Sequence, residues 1–305
     1  MSLTIPAHTR SDNVRGILAM LASMAVFVIN DTLVKIAAGN LPTGEAILIR
    51  GIFTTTLCGL LIARSGALWA LPHALSPRIL LRALADIGST VFFLSALVRM
   101  PIGDIFGILQ FTPLAVTAGA ALFLGARVGW RRWSATCIGL IGVLLIVRPG
   151  GSAFTPYALL AIVSILFSVA RDLLTRGVDA SVPSLVIAGA SSAAVTLASL
   201  GFTVFESWTW PAPAAVLTLL GASIALLAGQ YWLIAAMRTG EIAVVAPFRY
   251  SIILWAIVAG YLVWDEAPDL ASWLGIAIVT AAGLYTFLRE QHLARVAQPR
   301  LAQRP

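Results

Sequence analysis

Residues 22–35 read ASMAVFVINDTLVK, and residues 163–176 read VSILFSVARDLLTR. At an offset of 141, Ser23 meets Ser164, Asp31 meets Asp172, Leu33 meets Leu174 and Lys35 meets Arg176. The same offset pairs Pro42 with Pro183, and Trp133 pairs with Trp273 at 140. Gly103-Asp104 and Gly240-Glu241 pair at 137, the difference of a small indel. Self-similarity at one fixed period is the signature of duplication. The chain therefore reads as two halves, 1–150 and 151–305.

Composition says what each half is made of. Of 305 residues, 59% are hydrophobic and 11% charged, against roughly 25% charged in a soluble domain. Mean hydropathy is +0.94. No soluble core can hide that much apolar surface, and a disordered chain has the opposite balance. The net charge of +7 is spread through short loops and forms no stripe, which argues against nucleic acid as a partner. Cys58 and Cys137 lie in apolar runs, and His8, His73 and His292 in termini or loops. That excludes a disulfide framework and a zinc site. The class left is an all-α integral membrane protein with the lipid bilayer as its solvent.

A spanning helix needs about 20 mostly apolar residues. Ten runs qualify, at roughly 16–36, 43–63, 79–98, 103–124, 131–148, 156–176, 183–205, 213–236, 242–264 and 270–288. The breaks carry turn or charge signals such as Asn40-Leu41-Pro42 and Arg148-Pro149-Gly150-Gly151. With the N-terminus inside, 15 Lys and Arg fall on the cytoplasmic side and three (Lys35, Arg99, Arg148) outside, leaving Arg50 and Arg249 within spans. Both termini are thus expected in the cytoplasm. Five spans per half is an odd number, so the two halves should run in opposite directions. Inverted repeats of this kind are the usual build of secondary transporters, with the substrate near mid-membrane.

Charged and polar residues inside spans need a reason to be there. In span 1, Ser23, Phe27, Asn30 and Asp31 share a face, matched in span 6 by Ser164, Ser168, Arg171 and Asp172. Asp86, Ser89, Thr90 and Phe93 share a face of span 3. Gln110 and Phe111 stand beside Pro113 in span 4; Gln230, Tyr231 and Trp232 lie in span 8; Phe248, Arg249 and Tyr250 lie in span 9. The candidate substrate contacts are Phe27, Asn30, Asp31, Asp86, Ser89, Phe93, Gln110, Phe111, Ser164, Ser168, Gln230, Trp232, Phe248, Arg249 and Tyr250. Arg249 has no acidic sequence neighbour and suits a substrate carboxylate. The bland alternative makes Asp31–Lys35, Asp172–Arg176 and Arg82–Asp86 i,i+4 ion pairs, and pairs Arg249 with a distant acid such as Asp86.

Trp264-Asp265-Glu266-Ala267-Pro268 with Trp273-Leu274-Gly275, and Leu122-Phe123-Leu124-Gly125-Ala126-Arg127 with Trp133, Gly139, Gly142 and Arg148-Pro149-Gly150, carry a resemblance. The chain resembles the drug/metabolite transporter superfamily in its ten-helix EamA-type branch, over about residues 14–288. The family has a Glu after the Leu-Gly turn, which Glu266 matches and Ala126 does not. Within the branch it is most similar to bacterial aromatic amino-acid exporters of the YddG type. The resemblance implies alternating access in the bacterial inner membrane, a cavity lined by helices 1, 3, 4, 6, 8 and 9, and helices 2 and 7 outside it. It also implies a small-molecule substrate, an amino acid or similar metabolite, with protons as a further candidate partner.

The alternatives are export or facilitated passage of drugs, nucleosides or sugar derivatives on the same fold. A membrane-embedded enzyme is the different-class reading. The sequence has no Gly-x-Ser-x-Gly, His-Glu-x-x-His or nucleotide-binding Gly-x-x-x-x-Gly-Lys motif, so no enzyme activity and no cofactor are expected.

Overall fold

The computed structural model describes residues 10–302 except Arg127, 150–154, Arg176, Ala180 and Gly240. Among the described residues, ten helices are long and apolar enough to cross a membrane and none of the chain is strand. They are α1 (Ser11–Ala38), α2 (Thr43–Arg64), α3 (Pro77–Leu97), α4 (Ile102–Leu124) and α5 (Trp130–Val147). The second half holds α6 (Pro156–Thr175), α7 (Ser184–Thr203), α8 (Pro213–Thr239), α9 (Ala246–Trp264) and α10 (Leu270–Arg289). Each expected span is present. The expected boundary between halves, the Asp172–Arg176 pair and the Gly103–Gly240 match fall on or against residues outside those described.

Proline sets where helices begin. Pro42 and Pro183 immediately precede α2 and α7, and Pro77 opens α3. A fixed φ and a missing N–H cost nothing at those positions. Proline also interrupts the fourth span of each half. α4 is two pieces, Ile102–Leu109 and Thr112–Leu124. Pro113 cannot donate to the Leu109 carbonyl, and the Thr112 hydroxyl donates to it instead at 2.6 Å. In the second half Ile242–Val245 is a separate helical turn, and Ala246–Ser251, with Pro247 inside, is a 3-10 helix leading into α9. This is why α9 starts later than the apolar run suggested.

Packing pairs the halves. α1 lies against α8, α3 against α6, α2 against α7, and α5 against α10. The lesser contacts are α3 with α7 and α2 with α8, then α4 with α6 and α1 with α9, and α4 with α9. Exchanging each span with the one five later maps these pairs onto one another, whereas α4 also packs on α10 and α9 has no comparable contact with α5 among the described residues. The α5–α10 contact brings backbone against backbone, with Gly275 facing the Gly142 carbonyl. A Cβ on Gly275 would sit 2.6 Å from the Ile146 side chain, and one on Gly142 2.7 Å from Val279. Small residues let backbones approach in lipid, where no hydrophobic force drives helices together. Large apolar side chains such as Phe123, Phe205 and Leu262 point outward, as a lipid-facing surface requires.

Polar links join the halves at both ends. At one, called here the Lys35 end, Gly44 N–H donates to Glu206 at 2.9 Å, Thr209 donates to Glu45 at 3.1 Å, and Arg99 donates to the Tyr157 hydroxyl at 2.7 Å. Arg148 pairs with Asp269 at the same end. At the other, the Asn13 end, Glu241 N–H donates to Asn13 at 2.8 Å and Arg78 to the Gly177 carbonyl at 2.7 Å.

Two measurements test this packing. Gly275→Leu should destabilise the detergent-solubilised protein by about 1–3 kcal/mol, read as a lower Tm, because the α5–α10 contact has no room. The Arg148 guanidinium, followed by the Ser272 N–H, holds the Asp269 carboxyl at about 2, below its ordinary 3.8. A depressed acid stabilises above its unfolded value and loses that contribution as pH falls through the folded one. Thermal stability should therefore drop between about pH 4 and pH 2, and Asp269→Asn should flatten that limb.

Candidate functional site

A cavity of about 610 Å³ opens between α2, α3, α6, α7 and α8. Helical periodicity builds each wall. Ile47, Arg50, Gly51, Thr54 and Cys58 recur at three and four on α2. Ser184, Ala188, Ser191, Ser192 and Val195 do so on α7, Arg82, Asp86 and Thr90 on α3, and Leu227, Gln230 and Ile234 on α8. α6 contributes Arg171, Asp172 and Thr175. Lining residues toward the Asn13 end, among them Thr175, Ser184, Gln230 and Ile234, are exposed, while Ile47, Gly51 and Thr54 are buried. The cavity is thus open toward the Asn13 end and closed toward the Lys35 end.

Its charges form one network and one separate cation. Arg171 bridges Asp86 and Asp172, each at 3.0 Å. Arg82 reaches Asp86 at 3.9 Å, donates to the Thr175 hydroxyl at 2.9 Å, and also donates to Ser191. α3, α6 and α7 are tied together by these bonds. The guanidinium of Arg50 enters no hydrogen bond and no ion pair among the described residues. Its carbonyl accepts from Thr54 at 2.9 Å and Ser223 at 3.2 Å. Asp31 is the acid whose field acts on Arg50, and it accepts from the Asn30 amide at 2.7 Å. Three arginines and two aspartates line the cavity, so an anionic group is attracted into it.

Of the residues picked from the sequence, Asp86 and Gln230 line this cavity. Asn30 and Asp31 lie buried on α1 beside Arg50. Ser89, Ser164 and Ser168 staple α3 to α6: Ser89 and Ser168 share a 2.7 Å bond, and Ser164 donates to the Ser89 carbonyl at 3.1 Å. Phe27 covers Gly229 on α8, at a place where a Cβ would meet its ring at 2.8 Å. Phe93 packs edge-on to Phe106, and Phe111 against Leu114, Ala135 and Ala282. The Gln110 amide nitrogen is buried at the α4 interruption with no partner among the described residues. Trp232 and Phe248 are exposed, and Tyr250 abuts Gly283. Arg249 is exposed and makes no ion pair among the described residues.

Three expectations change. Helices 2 and 7 line the cavity, presenting small and hydroxyl residues such as Gly51, Thr54, Ser191 and Ser192 to it. Lys35 pairs with Glu266 at 3.3 Å and not with Asp31. The cation facing the cavity is Arg50, not Arg249. Arg50 had a signal in the sequence, since it is a charge in mid-span with no acid three or four residues away.

The chain is 28% identical over 268 residues to the pseudopaline exporter CntI of Pseudomonas aeruginosa, spanning 87% of this chain and 93% of that one. It is 25% identical over 183 residues to the S-adenosylmethionine uptake transporter of Rickettsia felis, spanning 59% and 60%. Residues 14–148 match the EamA-like transporter family. The riboflavin transporter of Brucella anthropi is 30% identical over 226 residues, 70% of this chain and 77% of that one. The chain belongs to the EamA-like transporter family. A crystal structure 19% identical superposes with a TM-score of 0.61, covering 90% of this chain and 95% of that chain, which shows a shared fold. This EamA-like transporter is thus a multi-pass membrane protein whose named relatives carry metabolites.

Removing the acid that two cations share should be costly. Asp86→Ala should destabilise the protein by about 3 kcal/mol in detergent, because it leaves Arg82 and Arg171 short of charge.

Proposed function

We propose that this protein is a secondary carrier that exports small organic metabolites bearing a carboxylate, neutral and aromatic amino acids among them. It works by alternating access between two inverted halves in the bacterial inner membrane. The observation that carries the substrate reading is Arg50, whose guanidinium makes no hydrogen bond or ion pair among the described residues and faces a water-accessible cavity. A planar guanidinium grips a carboxylate through two parallel hydrogen bonds. Asp172 faces the same space and is paired with Arg171 among the described residues, which leaves a carboxylate for the ammonium of a zwitterion. Ile47, Val195, Leu226 and Leu227 offer apolar wall to its side chain.

Exchange symmetry of the helix contacts supports the inverted repeat, together with the sequence matches at an offset near 140 and the odd span count. The lysine and arginine bias supports a cytoplasmic Asn13 end, so the cavity is loaded from the cytoplasm. The pseudopaline exporter, matched over 93% of its length, supports export. The riboflavin and S-adenosylmethionine transporters mark drugs, nucleosides and sugar derivatives as the substrates to test beside amino acids. A phosphate ester fits less well, since Asp86 and Asp172 already neutralise most of the charge on Arg82 and Arg171.

Counterflow in proteoliposomes tests this, with a labelled panel of neutral and aromatic amino acids, nucleosides and sugars, with and without a pH gradient. Saturable counterflow of an amino acid is expected, with Arg50→Ala weakening it about 10–100-fold, the loss of a charged hydrogen-bonded contact. Arg249→Ala should keep most of it. Equal flux in wild type and Arg50→Ala would refute the carboxylate site, and non-saturable leak would replace the carrier with a pore.

A further inference from the structure

At the Lys35 end a buried cation ties the two halves together. Lys35, at the last turn of α1, is 8% exposed. Its ammonium donates to the Met100 carbonyl at 2.6 Å and to both Glu266 oxygens at 3.3 Å, and it lies 4.5 Å from the centre of the Trp264 ring. Glu266 also accepts from the Ile102 N–H at 3.2 Å. The cluster joins α1, the α3–α4 turn and the α9–α10 turn, so it spans both halves. Asp31, one turn nearer the cavity on α1, is coupled to Arg50 in the cavity wall.

The other half has the same backbone and lacks the same chemistry. α4 ends at Gly125 and α9 at Asp265, both left-handed, with φ of 65° and 55°. The next N–H in each case returns to the carbonyl six residues back, Ala126 to Ala120 and Glu266 to Gly260, both at 3.1 Å. At an offset of 140, position 126 is thus the counterpart of 266, and Leu124 is the counterpart of Trp264. Lys35 corresponds in sequence to Arg176 at 141. At the positions that correspond to Trp264 and Glu266 the first half thus has leucine and alanine.

We propose that Lys35, Glu266 and Trp264 are a one-sided lock that determines which way the unloaded carrier faces. The lock holds the Lys35 end shut, and the symmetry-related positions 126 and 124 carry alanine and leucine in place of its glutamate and tryptophan. The empty carrier therefore rests open toward the Asn13 end, the cytoplasmic one, ready to load there. Lys35 and Glu266 are positioning residues: they set the access equilibrium and do not touch the substrate. This rests on the inverted-repeat carrier reading, since only exchange of the halves makes position 126 the missing partner.

Sidedness of labelling tests it. The full chain carries Cys58→Ala, Cys137→Ala and Ser192→Cys, the last a reporter in the cavity wall. It is placed in vesicles of both orientations and treated with a membrane-impermeant maleimide. Labelling from the Asn13 end is expected to dominate. Glu266→Gln should raise the rate from the Lys35 end about tenfold, the scale of a modest coupling between states. Ala126→Glu should shift sidedness the same way by giving the first half the acid that Glu266 supplies in the second. Ala126 is exposed, so that variant stays informative even if Glu266→Gln folds poorly. Unchanged sidedness in both variants, with phenylalanine counterflow intact in the same vesicles, overturns the lock. Equal labelling of the wild type from both ends overturns the carrier reading instead.

Discussion

Hydrocarbon offers no water to a charge, and the consequences of that run through the whole molecule. A charged side chain in mid-span must meet an opposite charge, a backbone carbonyl or a wet cavity. Asp86 shows the first solution, shared between Arg82 and Arg171. Lys35 shows the second, with the Met100 carbonyl as well as Glu266. Arg50 shows the third, since its guanidinium meets the cavity and makes no ion pair among the described residues, with Asp31 as the acid whose field reaches it. The helices that carry these groups can pack only in an arrangement that keeps all three solutions together. The cavity's walls and its closed floor are therefore aspects of one electrostatic constraint.

The two halves share a backbone plan and diverge in side chains. Each has an interrupted fourth span with proline near the break, and each closes that span with the same left-handed residue and back-turned N–H. Such features depend on backbone geometry, which a duplication copies. Acid against alanine at the following position depends on a single side chain, which is free to change. Symmetry of the fold with asymmetry of the chemistry is how a two-state carrier acquires a preferred face, because an ion pair formed in one state alone shifts the balance between them.

The relatives point the same way. Pseudopaline, riboflavin and S-adenosylmethionine differ greatly, yet their named transporters resemble this chain over much of its length. In this chain, close helix contacts such as Gly142 with Gly275 tolerate no added carbon. Cavity walls such as Ser191, Ser192 and Gln230 are under no such packing constraint. A fold can thus be kept while its substrate changes.

Hydropathy alone determined the ten spans, because a spanning helix buries about 20 residues in one unbroken run and the signal is local. The offsets that pair Asp31 with Asp172 and Trp133 with Trp273, on which the proposed repeat rests, are likewise read along the chain. Asp86 and Gln230 could be picked out as polar residues with no reason to face lipid. Which helices enclose the cavity could not be read, because that depends on small residues of α2 and α7 meeting across space, as Gly51 does with Thr196. Nor could the partners of the charges. Local spacing offered Asp31 to Lys35 at four residues, but the tertiary fold brought Glu266 from 231 residues away. Sequence fixes what each helix must bury, and only the packed bundle decides against what.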